Sequence, residues 1–355
     1  MRPVRIGVVG TGSISNAHMT GYSKLAEQGV VELVAACDLN VDRAKAWAEK
    51  YGFKEVYGSH KEMLEKSDID AVSVCTWNNG HAPITIDCLR AGKHVLCEKP
   101  PAMTVEEALE MQKAEEESGK VLMIGFVRRF GTNADLVLDF AKHGFFGDVN
   151  FAKICVTRRC GCPLGWFANS KLSGGGPLLD NGVHLIDLVR YLTGKPKAVS
   201  CYAATYNNMG SRTNIKGINR YSSVDPSDFN DVEDLAVGMV KFDNGMSMSL
   251  EFSYSEEIEE GVIGVEIYGS KGGAVVEPHL TLMTEMYDYM VNITPQIDAP
   301  SFDFGVFYQE IKHFIDCVNG VAECRNRIDD GVELMRIITS MYESAKTGHE
   351  VIIKR

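Results

Sequence analysis

The sequence predicts an α/β N-terminal domain on a parallel sheet, followed by an α+β C-terminal domain whose sheet is mostly antiparallel. Three observations predict it. The first ~125 residues alternate short apolar runs, bounded by turn residues, with segments of helical period. Beyond about residue 145, strand-like stretches crowd together, and Asp243-Asn244-Gly245 supplies a hairpin turn between two of them. A length of 355 residues also suits two domains of roughly 100–200 residues each.

The elements follow in order. Val4–Val9 is the first strand and Ser13–Gln28 the first helix; Val31–Cys37 and Val41–Tyr51 repeat the unit. Ala71–Cys75 precedes a helix over Ala82–Arg90, and His94–Cys97, Val105–Ser118 and Val121–Gly125 continue the alternation. Thr104 followed by Glu107 is a capping-box signature for the helix after Pro101. In the second half, Val149–Thr157, Ala198–Tyr206, Leu235–Phe242, Met246–Tyr254 and Val262–Tyr268 read as strands. Gly174–Leu192 reads as one helical segment, and Phe307–Val318 and Val332–Ala345 as two more. Residues 207–230 are polar and predict a long loop, and 285–303 predict an irregular stretch.

Composition narrows the function. The formal charge is −12 with no basic run, which argues against nucleic acid and against anionic membrane surfaces. No apolar run reaches the ~18–20 residues of a membrane span. The N-terminus lacks a signal-peptide pattern, which predicts a cytoplasmic protein. The ten cysteines are scattered and read as reduced core thiols. Only Cys160 and Cys162 form a tight pair, and no further ligands stand at recognisable spacing, so no metal is expected.

Two clusters carry chemistry. Gly10-Thr11-Gly12-Ser13-Ile14-Ser15 closes the first strand and opens the first helix. Gly10 permits the tight turn, Gly12 lets the backbone approach a pyrophosphate, and the amides of Gly12, Ser13 and Ile14 point at it. Asp38 ends the second strand, where a carboxylate binds ribose hydroxyls and repels a 2′-phosphate, favouring NAD over NADP; Arg43 is near enough to blunt that preference. Taken alone, this is also what a bare glycine turn with a solvated aspartate looks like.

Glu98-Lys99-Pro100-Pro101 follows the apolar run His94–Cys97, at the sheet edge where α/β folds bind ligands; a lysine there can stabilise a developing alkoxide. One of the proline bonds can be cis. The run from Gly174 to Asp187 places Asp180 and His184 four apart, on one helical face, with Asp187 able to orient the imidazole. A neutral histidine suits the proton acceptor when an alcohol becomes a ketone. An isolated surface lysine and a capped helix with a structural histidine would look the same one at a time.

Together these pieces resemble the Gfo/Idh/MocA oxidoreductases over nearly the whole chain. The resemblance rests on the Gly10/Gly12 loop, Cys75-Thr76-Trp77-Asn78 with His81, Glu98-Lys99-Pro100, Gly125–Phe130 and Gly174–Asp187. It implies a Rossmann domain over residues 1–125 and, over 126–355, a substrate-binding and oligomerisation domain with an open sheet. It further implies an active site between the two and homodimers or homotetramers formed through the sheet face. Lys99, Asp180 and His184 match the family's catalytic positions, with the formal base left between Lys99 and His184. Thr76, Trp77, Asn78, His81, Glu98 and Lys99 match the cofactor segment, and Arg129 and Trp166 match substrate-side positions. The sequence departs from the family at Ser15, Trp77 and Phe167. The implied reaction passes a hydride from a secondary alcohol of a sugar, glycoside or inositol to NAD. An NAD-dependent glycoside hydrolase and a non-catalytic NAD sensor are the alternatives.

Overall fold

The computed structural model describes residues 2–217, 223, 229–296 and 305–355. The predicted loop 207–230 and the stretch 285–303 thus lie partly outside the described residues. The chain divides into two compact units, Met1–Val127 with Phe304–Val332, and Arg128–Asp303 with Glu333–Arg355.

The first unit holds β1 (Val4–Val9), α1 (Ser13–Glu27), β2 (Val31–Cys37), α2 (Val41–Tyr51), β3 (Glu55–Tyr57), α3 (His60–Lys66), β4 (Ala71–Val74), α4 (Asn78–Arg90), β5 (His94–Cys97), α5 (Val105–Ser118) and β6 (Leu122–Ile124). Its six strands are parallel in the order β3-β2-β1-β4-β5-β6, the doubly wound arrangement. β4 is buried along its whole length and β1 nearly so, because helices cover both faces. Four details sharpen the sequence reading. The unread β3 and α3 fill the segment before β4. α4 starts at Asn78, four residues before the predicted Ala82. Thr104 accepts the Glu107 amide as predicted, while Glu107 reaches back to the Met103 amide. The Lys99–Pro100 bond is cis.

The second unit holds α6 (Thr132–Lys142), β7 (Val149–Thr157), α7 (Ser170–Ser173), α8 (Val183–Leu192), β8 (Ala198–Tyr206), β9 (Leu235–Phe242), β10 (Ser247–Ser253), β11 (Val262–Gly269), β12 (Gly272–Glu277), β13 (Thr281–Met286) and β14 (Tyr289–Ile293). Further along the chain, α9 (Gly305–Val318) belongs to the first unit, α10 (Ile328–Thr347) leads back into the second, and β15 (Val351–Ile352) completes its sheet. That sheet runs β14-β13-β12-β11-β7-β10-β9-β8-β15, antiparallel except where β7 lies parallel to β10. Ala152, Ile154 and Val156 on β7, Met248, Leu250 and Phe252 on β10, and Val265 and Ile267 on β11 all point to the buried face, where α8 packs.

Two expectations are corrected. Residues 285–303 are not irregular throughout: β13 and β14 pair as a hairpin there. Its turn places Tyr287 and Asp288 at φ 55° and 66°, the two left-handed positions of a type I′ turn. Asn-Gly is the usual signal for such a turn, and here it is absent. Gly174–Leu192 is helical only from Pro177: Gly174–Gly176 form a loop, and a π-helical turn over Leu178–Gly182 runs directly into α8.

Candidate active site

In the first unit the chain turns sharply at Gly10, whose φ of 93° disfavours a side chain and whose Cβ position is filled by the Cys75 carbonyl. Gly12 caps α1, and nothing lies within 4 Å of where its Cβ would be. Gly12, Ser13 and Ile14 reach solvent while Ser15 is buried. The first-turn amides of α1 have no acceptor within the helix. An open, amide-lined cradle at a helix N-terminus is what a pyrophosphate needs.

Asp38 is held by more groups than sequence reasoning found. Its Oδ2 accepts the Thr11 amide at 2.9 Å and the Thr11 hydroxyl at 3.0 Å, and its Oδ1 accepts the Asn40 amide at 2.8 Å. Arg43 donates from Nε and Nη2 at 3.3 and 2.9 Å. Burial alone would raise the carboxyl, but the Arg43 hydrogen bond and these amides outweigh it and hold it below its ordinary value. Thr11 and Asn40 were missed because both donate backbone amides, which leave no mark on residue type, and the Thr11 hydroxyl only adds to its amide.

The loop after β4 is tied to the turn after β5 by His81. Its Nδ1 lies 2.6 Å from the Pro100 carbonyl and its Nε2 3.1 Å from the Thr76 carbonyl. Carbonyls only accept, so a neutral ring donates to one of them at a time. Burial pushes the ring below its ordinary pKa. Thr76 and Trp77 are partly exposed, and Asn78 is buried at the start of α4. Glu98 is buried, and its carboxylate turns inward onto His18 rather than outward. Lys99 alone in Val95–Pro100 reaches solvent.

In the second unit, Asp180 sits on the π-helical turn and His184 near the start of α8. From Leu178 to Arg190 every residue is buried except these two. The buried Tyr254 hydroxyl donates to Asp180 Oδ2 at 3.0 Å and fixes its orientation. Glu233 accepts the Gly176 and Leu178 amides and the Tyr342 hydroxyl, and so pins the glycine run. Gly176 has no room for a side chain against Glu233, nor Gly175 against Tyr342. Trp166 stacks on Phe167, ring centroids 3.9 Å apart. Tyr254 and Glu233 carried no motif signal; the turn they brace was visible only as glycines.

One expectation changes here. Arg129 is not positioned for substrate: it is fully buried, with Nε and Nη2 at 2.8 and 2.5 Å from the Asp187 oxygens and its guanidinium over the Tyr191 ring. Asp187 thus has Arg129 as a partner that sequence spacing did not reveal. Cys162 packs with Ala168, Val232 and Tyr254 as an apolar residue. Among the described residues no three His, Cys, Asp or Glu side chains are grouped to hold a metal ion. Burial pushes Cys37 and Cys97 up to about 12, which leaves those thiols unreactive.

Residues 4–126 match the model of the oxidoreductase family with an NAD-binding Rossmann fold, and residues 137–275 match the GFO/IDH/MocA C-terminal domain. The chain is 33% identical over 352 residues to D-glucoside 3-dehydrogenase of Escherichia coli (strain K12), covering 98% of this chain and 97% of the relative. The chain belongs to the Gfo/Idh/MocA oxidoreductases. It is also 31% identical over 192 residues to myo-inositol 2-dehydrogenase of Thermotoga maritima, covering 54% of this chain and 55% of the relative. A solved structure of levoglucosan dehydrogenase in complex with NADH shares the fold at a TM-score of 0.86 and 23% identity, covering 99% of this chain and all of that one, 100%.

This Gfo/Idh/MocA chain is an NAD-binding oxidoreductase. Its first unit suits the cofactor: the space at Gly12 and the exposed α1 N-terminus can take the pyrophosphate, and Asp38 can take the ribose. No helix among the described residues is long and apolar enough to cross a membrane.

Proposed function

We propose that this oxidoreductase oxidises a ring secondary hydroxyl of a D-glucoside, at position 3, with NAD in preference to NADP. The observation that carries the reading is the exposure pattern: Asp180 and His184 alone emerge from an otherwise buried stretch, and Lys99 alone emerges from its own. A lysine on one unit, and a histidine and a carboxylate on the other, are the residue types that alcohol oxidation uses, and each is left partly accessible. The 98% coverage by the D-glucoside 3-dehydrogenase relative favours a glucoside over an inositol.

In this reading His184 accepts the hydroxyl proton, and the Lys99 ammonium stabilises the oxygen as its charge grows. Asp180, steadied by Tyr254, accepts a neighbouring hydroxyl and fixes the ring. Trp166 offers an aromatic face to the sugar. Thr76, Trp77 and Asn78 border the cofactor, and His81 and Glu98 act on it through the loops they hold. Bound NAD supplies the two-electron acceptor for the carbinol hydrogen.

Location and assembly belong to the same proposal. Ten free cysteines suit the reducing cytoplasm. Tyr202 and Met239 are cross-strand partners about half exposed, 52% and 50%, on the sheet face away from α8. That apolar surface suits a homodimer or homotetramer built through the sheet.

The test is reduced-nicotinamide absorbance with NAD or NADP against methyl D-glucosides, free aldoses and inositols. Glucosides with NAD should give the signal, and Lys99→Ala and His184→Ala should each abolish most of it while keeping the fold. Full activity in both variants would overturn the assignment. Release of an aglycone from a chromogenic glucoside, without a 3-keto product, would favour the hydrolase.

A further inference from the structure

Beneath the Lys99 turn lies a buried polar chain that the chemistry above does not use. His18, on α1, places Nε2 2.8 Å from Glu98 Oε1 and Nδ1 3.2 Å from the Ser73 hydroxyl. Ser73 lies 2.7 Å from the Tyr22 hydroxyl. Glu98 Oε2 accepts the backbone amide of Lys99 at 3.1 Å. His18, Tyr22 and Ser73 are 0% exposed. The order serine–histidine–carboxylate imitates a hydrolytic triad, but no substrate reaches a hydroxyl this deep.

The sequence makes room for this chain at unusual points. Gly125 sits beside Glu98, where a Cβ would come within 3.2 Å of Oε2. Gly21 brings α1 against α9: a Cβ there would lie 2.6 Å from Ile311 Cβ. Next to Ile311, Glu310 is buried with neither carboxyl oxygen hydrogen-bonded. Burial, and then the charge of Glu98, raise Glu310 well above its ordinary value. Glu98 itself stays charged: burial would raise it, but the His18 hydrogen bond, then the charges of His18 and Lys99, bring it below its ordinary value.

We propose that His18 is a positioning residue for Lys99: it fixes Glu98, and Glu98 fixes the Lys99 backbone from which the reacting ammonium projects. Ser73 and Tyr22 hold the imidazole from its far side. The turn is thus set from inside the protein by a histidine that never meets substrate. This rests on Lys99 acting in hydride transfer. A small rotation of the lysine should slow the chemical step and leave binding nearly unchanged, because misplacement of about 1 Å costs up to about a hundredfold in rate.

The experiment is single-turnover NAD reduction with methyl D-glucoside, alongside the Kd for NAD and a melting curve. His18→Leu should lower the single-turnover rate by about tenfold or more and change the Kd for NAD less than about threefold. His18→Gln, whose amide can donate where Nε2 did, should restore most of the rate. In a Lys99→Ala background, His18→Leu should cost little further, since both act through one group. Ser73→Ala and Tyr22→Phe, which loosen the ring without leaving Glu98 unpartnered, should slow the step mildly and serve if His18→Leu does not fold. A rate per folded molecule unchanged in these variants, or equal losses with and without Lys99, would overturn the proposal. Full activity in Lys99→Ala alone would instead overturn the functional reading on which it rests.

Discussion

Asp38 and Arg43 face each other at the end of β2 in a two-point ion pair, 3.3 Å from Nε to Oδ2 and 2.9 Å from Nη2 to Oδ1. The carboxylate that would read the ribose is therefore already braced by a cation. Asp38→Ser should lower kcat/KM for NAD by about tenfold to a hundredfold, the scale of hydrogen bonds to a charged group. It should also narrow the gap to NADP, since the released guanidinium can meet a 2′-phosphate. Paired kinetics with the two cofactors check this; an unchanged NAD to NADP ratio would remove Asp38 from cofactor choice.

Gly10→Ala tests the turn. The alanine would carry an unfavourable positive φ and press on the Cys75 carbonyl. A loss of about 2–4 kcal/mol in urea unfolding is expected, with weakened NAD binding in the remaining folded protein.

Arg129 and Asp187 test the reassignment of a residue first read as substrate-facing. Arg129→Met alone strands a buried carboxylate and should cost about 3–5 kcal/mol. Asp187→Leu added to it should recover most of that loss. The KM for substrate per folded molecule should stay unchanged, as steady-state kinetics on the double variant would show.

Glu310 gives a pH dependence with a defined sign. Its folded pKa lies well above the unfolded value, so the folded state binds more protons once pH exceeds the ordinary glutamate range. Stability then falls as pH rises, and Glu310→Gln removes that slope. Urea midpoints at pH 5 and pH 8 should draw closer together in the variant. Asp70, held by Arg5, runs the other way: burial opposes but the Arg5 hydrogen bonds prevail, its pKa is lowered, and its contribution is lost as pH falls through the folded value.

Apart from β3 and α3, the strands and helices of the first unit could be read from sequence because burial on both faces writes itself as apolar runs, as in Leu122–Ile124. The glycine loop, Asp38 and the partly exposed pair Asp180 and His184 were legible as motifs with fixed spacing. What stayed hidden were partners fixed by the fold alone. Glu98 meets His18 across 80 residues, Arg129 meets Asp187 across 58, and Tyr254 meets Asp180 across 74. No periodicity records such pairs. The β13–β14 hairpin escaped because Tyr287 and Asp288 take positive φ without a glycine, on strands that are largely exposed. α6 was left unread because its start is capped by Gly131, with no side-chain cap to mark it.

The most direct test of the central claim is single-turnover oxidation of methyl D-glucoside carrying deuterium at carbon 3, compared with deuterium at carbon 2. The account predicts a slowed step and label transfer into reduced nicotinamide only for carbon 3, with both lost in His184→Ala and Lys99→Ala. Reduced nicotinamide labelled from another position, or none formed although NAD is bound, would contradict it.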